Sequence, residues 1–388
     1  MIQKFLTEQN LRITAIFLGL FLLTAGASWL VFFFVIKPQP TAKPIDVSEK
    51  RARIDPNAPK TEPCPINGKK FSKAEREIWE KRRPINVMIE NHEESRPQSG
   101  LSSADVVYEA VAEGGITRFM AVFYCGASAE EVTIGPVRSA RIYYVDWASE
   151  YGDKPLYAHV GGANRPGPAD ALGAISKYGW LSDGNDLNQF SIGFPTFWRD
   201  YERIGHPVAT EHTMYSTTDK LWEVAAERKL EAKDGDGKKW DSNFLPWNFK
   251  DSSAGTGQVQ SIAFSFWSNQ SDYAVKWIFD TASGVWKREN GGKVHTDLNN
   301  QKQIEAANIV VQFVNEKSLR DPEKHMIYGT IGKGDAIIFT NGNVIRGKWE
   351  KSDRTSRTKF VDSKGAQINF VPGQIWIEAL PQGTDITY

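Results

Sequence analysis

Residues 13–36 carry no charged side chain, and no other stretch of this 388-residue chain limits its architecture so firmly. Arg12 and Lys37 bound it, and its 24 residues at about 1.5 Å each make a helix of about 36 Å, longer than the roughly 30 Å hydrocarbon core of a bilayer. The length predicts one transmembrane helix over 13–36. A cleaved signal peptide is the competing reading, because Ala25-Gly26-Ala27 has the small-x-small form of a cleavage site. The apolar run from Trp29 to Ile36 continues past that point, where a signal peptide turns polar, and this favours a retained anchor. Basic residues do not orient the helix: Lys4 and Arg12 precede it, while Lys37, Lys43, Lys50, Arg51 and Arg53 follow. Long domains translocate largely regardless of charge, so a single-pass protein of the cell membrane with its bulk outside the cytoplasm is expected.

The rest of the chain reads as folded. With 40% hydrophobic residues it is too apolar for a disordered chain, and its length suits two modest domains. Lys+Arg and Asp+Glu both number 47, so no broad basic field is available and nucleic acid is not an expected partner. Two cysteines cannot build a disulfide framework, and neither Cys64 nor Cys125 has a histidine motif that would make it catalytic.

Residues 37–83 are rich in proline and charge and are expected to form a semi-extended spacer, with a short helix over 71–81 and Ser72 as its N-cap. Strand-like runs at 85–90, 105–112 and 118–124 then alternate with helical periods over 139–151, 168–178 and 216–225, which predicts an α/β layered domain over 84–230. A Gly-, Asp-, Lys- and Ser-rich connection follows at 231–258. Beyond it, over 259–388, short β-branched or aromatic runs and three hairpin turns, at 280–284, 340–343 and 362–365, predict a mostly antiparallel β-rich domain.

The densest candidate chemistry is Gly135-Pro136-Val137-Arg138-Ser139-Ala140-Arg141. Arg138 and Arg141 are three apart at the expected start of a helix, where free backbone N–H groups favour an anion and guanidinium forks suit phosphate or carboxylate. Arg96 and Arg118 stand at the loops and ends of strands, where α/β sheets assemble sites, so the four arginines are expected to line an anion site. The alternative is that Asp105, Glu109, Glu113 or Asp146 neutralises them and merely ties helix to sheet. Gly161 and Gly162 form a turn whose backbone a ligand can approach closely, or simply a tight turn. His206, Glu211 and His212 lack recognised ligand spacing, so no metal is expected, and no Gly-x-Ser-x-Gly elbow or Walker loop occurs. The loop holding Phe190, Phe194, Phe197 and Trp198 either clasps a lipid or sugar or covers the domain's own core.

Taken together, Ile85-Asn86-Val87-Met88-Ile89-Glu90-Asn91-His92, Arg96-Pro97-Gln98-Ser99-Gly100, Ala104-Asp105-Val106-Val107-Tyr108-Glu109, Ile116-Thr117-Arg118-Phe119 and the segment 134–141 resemble the YerB-like family of bacterial lipoproteins, a family of unknown function. Ile309-Val310-Val311-Gln312, Gly347-Lys348-Trp349 and Gly373-Gln374-Ile375-Trp376 are similar to its C-terminal domain. The resemblance covers about residues 84–380 and implies two domains tethered outside the cytoplasmic membrane, with no agreed activity or cofactor. A lipoprotein needs a cysteine after the small residues, yet Ser28 follows Ala27, so anchoring falls to the helix. A more distant likeness, to the LytR-CpsA-Psr phosphotransferases, implies a pyrophosphate clamp of Arg96, Arg118, Arg138 and Arg141, with Asp105 or Asp146 serving a metal or proton. The expected function is therefore binding of an anionic or glycan ligand, a cell-wall polymer or an envelope protein. The alternative is a phosphotransferase acting on lipid-linked wall polymers.

Overall fold

Runs without polar alternation become strands covered on both faces. The computed structural model describes residues 8–30, 51, 54–251 and 257–388. In it β1 (Ile85–Glu90), β2 (Val106–Glu113) and β3 (Ile116–Phe123) are almost wholly buried, which is why Val87, Val107, Val122 and their neighbours read as unbroken apolar stretches. Gly114 and Gly115, both at positive φ, turn β2 back on β3 as an antiparallel hairpin. β4 (Leu156–His159) and β5 (Asp186–Asn188) extend the sheet beside β1 in parallel.

Five further strands come from after the 231–258 connection. They are β6 (Asn308–Val314), β7 (Gly332–Thr340), β8 (Asn343–Lys351), β9 (Lys359–Val361) and β10 (Ile375–Pro381). Asn341-Gly342, both at positive φ, close the β7–β8 hairpin. All ten strands share one sheet in the order β9-β8-β7-β6-β10-β2-β3-β1-β4-β5. The join is a parallel pairing of β10 with β2, from Ile375 opposite Val106 to Glu378 opposite Glu109. A smaller antiparallel sheet, built on Ser261–Phe264, Val275–Asp280 and Val285–Asn290, packs on it. There the strands alternate, because only one face is covered.

The chain divides into two compact units, residues 1–45 and 46–388. The first is described by α1 (Glu8–Leu30), whose side chains over 12–26 are exposed on every face. The expected transmembrane helix over 13–36 is not supported by it: among the described residues no helix is long and apolar enough to cross a membrane. α1 begins in polar residues, Glu8-Gln9-Asn10, and the end of the apolar stretch, 31–36, lies outside the described residues.

The expected spacer over 37–83 also needs correction, since much of it is folded on the larger unit. Its residues 37–50, 52 and 53 lie outside the described ones. Glu62–Pro63 pairs with Lys70–Phe71, and α2 (Lys73–Trp79) follows, with Ser72 and Glu75 forming a reciprocal capping box. Ile66, Phe71, Ile78 and Trp79 are buried, and Cys64 is bonded to Cys125 at the end of β3. Proline density forbids long ladders but not burial of single side chains against a surface supplied from elsewhere in the chain.

Further helices pack around the large sheet. α3 (Ile142–Ala148) lays Tyr143, Tyr144 and Trp147 on it; α4 (Ala171–Lys177) is capped by Asp170; α5 (Thr218–Glu227) is capped by Thr217 and buries Leu221, Trp222 and Ala225.

Candidate functional site

The carboxyl ends of the parallel strands β1, β4 and β5 lie along one edge, the place where α/β sheets gather their polar groups. The segment 135–141 crosses these ends. Glu90 donates its N–H to the Pro136 carbonyl at 2.9 Å, Arg138 its N–H to Met88 at 3.0 Å, and Ala140 its N–H to the Gly161 carbonyl at 2.9 Å. Arg138 is therefore in extended chain and Arg141 is the N-cap of α3, so the two do not share a helix face as their spacing predicts. The isolated bridge between Ile89 and Val137 holds this segment extended until Arg141.

Five charged side chains meet there. Arg118, fully buried, donates to Glu113 at 2.7 Å and stands 3.7 Å from Glu90, its partner across β1 and β3. Arg141 donates to the other Glu113 oxygen at 2.7 Å, and Arg138 donates through Nε to Glu90. Burial opposes ionisation of Glu113, but Arg118 and Arg141 outweigh it and hold the carboxyl down at about 2. Glu90 is likewise lowered, with burial overcome by Arg118 and Arg138. Three guanidinium groups thus share two carboxylates, and the Nε atoms of Arg118 and Arg141 have no hydrogen-bond partner. The Arg138 side chain is 24% exposed and is the member that solvent reaches most.

The histidines stand beside Glu90. His212, ending the short turn Thr210–His212, stacks on His92 with ring centroids 4.8 Å apart, and its Nδ1 is 3.9 Å from Glu90. Burial holds His212 below its usual value, Glu90 opposing.

Arg118, Arg138, Arg141, Gly161 and Gly162 are thus brought together, while Arg96 and Asp105 are not. Arg96 donates to the Asn91 side chain at 3.1 Å and to the Asp272 carbonyl at 2.9 Å, over the Tyr273 ring, and so ties its loop to the small sheet. Gly161 and Gly162 serve the crossing chain: a Cβ at Gly162 would lie 3.0 Å from that of Ala140. Of the aromatic loop, Phe190 and Phe194 are 76% and 83% exposed, whereas Phe197 is buried. A groove of about 870 Å³ lined by Phe266, Trp267, Glu289 and Pro381 shares no residue with the arginine network.

Asp105 precedes β2 at the end remote from Glu113, beside the disulfide. Its carboxylate accepts from the Asn67 side chain at 2.6 Å and from the N–H groups of Tyr124 and Gly126 at 2.7 and 3.0 Å. Burial nevertheless pushes its pKa up to about 7, with the backbone donors opposing. A carboxyl raised in the fold keeps its proton where the unfolded chain, with a value of about 3.9, has lost it. Stability from this group is therefore full below about pH 4 and is lost as pH rises through about 7. Asp105→Asn is expected to flatten the unfolding free energy over that window, as read by urea titrations at several pH values. An unchanged slope would place the titration elsewhere.

Sequence reasoning missed a second network. Arg288, fully buried, donates to Glu109 at 2.5 Å and to His295 Nδ1 at 2.7 Å, and His295 reaches Gln98 at 2.8 Å. Its Nε lies 4.0 Å from Glu378, which accepts from Trp277 at 3.0 Å. Burial and the adjacent Glu109 raise Glu378 well above the carboxylate range. The available signal was the period of two in Val285–Asn290, which places Arg288 on the inward face with Trp286 and Asn290.

These features define a class, a sheet-rich protein whose N- and C-terminal segments complete one sheet around buried ion networks. The chain belongs to the DUF3048 family: residues 72–231 match its N-terminal domain, described as a protein of unknown function, and residues 262–377 match its C-terminal domain. It is 30% identical over 363 residues to the protein named Putative lipoprotein YerB of Bacillus subtilis (strain 168), covering 92% of this chain and 95% of the relative. The crystal structure of YerB from Bacillus subtilis superposes with a TM-score of 0.66 at 26% identity, over 84% of this chain and 99% of that one.

Proposed function

We propose that this chain is a membrane-tethered protein of the cell envelope, facing outward, that binds an anionic ligand of phosphate or carboxylate chemistry at Arg138 and Arg141. The observation that carries the reading is the imbalance at the strand ends, where three guanidinium groups share two carboxylates and Arg138 reaches solvent. An anion there completes the charge pairing that the fold leaves open. Envelope location is supported by the apolar stretch 13–36, by the Cys64–Cys125 bond, which suits an oxidising compartment, and by the relative's description as a lipoprotein. Ser28 cannot take a lipid thioether, so the tether falls to the apolar stretch 13–36. The ligand classes this suits are wall polymers and anionic groups of envelope proteins.

Pyrophosphate is the probe. Calorimetric titration of the full chain in detergent is expected to show saturable binding that weakens by about 10- to 100-fold in Arg138→Ala/Arg141→Ala, the equivalent of a lost charge-assisted hydrogen bond of about 1.5–3 kcal/mol. Equal affinity in a double variant that keeps its melting temperature removes the site. Protease added to intact cells is expected to digest residues 46–388; full protection overturns the outward placement.

A phosphotransferase acting on lipid-linked wall polymers is the second reading. It is favoured by the Glu90 carboxylate and the paired imidazoles of His92 and His212 beside Arg138, groups that general acid–base work requires. Turnover of a lipid-linked polymer by the wild type and its loss in Glu90→Gln would distinguish it from binding alone.

A further inference from the structure

We propose that His92, Glu94 and His212 form a binding site for a divalent transition-metal ion of the zinc class. One nitrogen of each imidazole and one carboxylate oxygen lie within 4.8 Å of one another, with His212 Nε2 at 3.7 Å from Glu94. Two imidazoles and a carboxylate are a donor set that zinc accepts, leaving a fourth position for water or an anion. The positions follow from the fold: His92 and Glu94 belong to the turn that leaves β1, and His212 ends the turn on the facing segment.

A second, independent observation points the same way. The His212 side chain is more than nine-tenths buried, and its Nδ1 has no hydrogen-bond partner although the Glu90 carboxylate stands 3.9 Å away. Metal-bound histidine normally donates its other ring N–H to a carboxylate, which fixes the tautomer and strengthens the ligand. Coordination at Nε2, the nitrogen nearer Glu94, would put the proton on Nδ1, the nitrogen nearer Glu90. The two rings stack at 16° to one another, and Glu94 is the exposed third donor.

Two other groupings of possible ligands are weaker. Cys64 and Cys125 are consumed by their disulfide beside Asp105, and His325 already accepts or donates at 2.6 Å to Asp321.

The test is titration of the full-length protein in detergent with zinc chloride, read by calorimetry and by the zinc X-ray absorption edge. Saturation at one equivalent is expected, with an edge spectrum showing two imidazole ligands. His92→Ala should abolish it. Glu94→Gln, at an exposed side chain that the fold does not need, should weaken it, and Glu90→Gln should cost about 10- to 100-fold, the usual effect of removing a partner of a ligating histidine. His325→Ala should leave it unchanged. Absence of saturable binding, or saturation that survives both His92→Ala and Glu94→Gln, overturns the site. The readout needs no anion, so it stands or falls apart from pyrophosphate binding.

Discussion

Replacement of Arg288 by methionine is expected to remove about 3–5 kcal/mol from the stability of the larger unit, because Glu109 is left as a buried charge without its partner. Arg288 and Glu109 are both fully buried, so water cannot substitute for the lost guanidinium. Glu378 supplies no counter-charge, since it is itself a carboxyl whose pKa burial and the adjacent Glu109 raise well above the carboxylate range. The joint also couples the halves: Arg288 comes from the small sheet, Glu109 from β2 and Glu378 from β10, which is paired with β2. Urea unfolding followed by tryptophan fluorescence should show a single transition at a lower midpoint. Glu109→Gln/Arg288→Met should recover most of the loss, because no buried charge then remains uncompensated. A single variant as stable as the wild type would show that water reaches Glu109.

The second large effect is expected at Cys64 and Cys125. The bond between them closes a loop with a sequence separation of 61, and loop-closure entropy for that length is worth about 4 kcal/mol at 25 °C. Cys64→Ser/Cys125→Ser should unfold at correspondingly lower urea, and both native cysteines, being buried, should resist thiol reagents after mild reductant until the protein opens. The segment 54–83 should be the first region lost in hydrogen exchange of the variant, since it depends on that bond and on a few buried side chains such as Ile66 and Trp79. Equal stability of variant and wild type would show that packing alone holds the segment.

Local elements were legible wherever their signal is local. Strand β1 coincides with the apolar run at 85–90, Ser72 caps α2 as its pattern predicts, and the hairpin turns at 280–284 and 340–343 occur where glycine and asparagine mark them. The site was legible only in its residue types. Arg118, Arg138 and Arg141 do converge, but through an extended crossing segment and with Glu90 and Glu113 between them, and Arg96 and Asp105 are committed elsewhere. Grouping His212 with its sequence neighbours His206 and Glu211 hid its spatial partners His92 and Glu94.

What the chain carries in its own order is the placement of strands, caps and turns, and an apolar stretch at 13–36, because these depend on side chains a few residues apart. What only the tertiary structure decided is the pairing of β10 with β2 that makes one sheet of two segments, the folding of 54–83 onto it, and the partners of every buried charge. The β10–β2 pairing, the Cys64–Cys125 bond and the Arg288–Glu109 pair join residues more than fifty positions apart, where no local propensity acts and the choice falls to burial, which favours a charge beside its counter-charge.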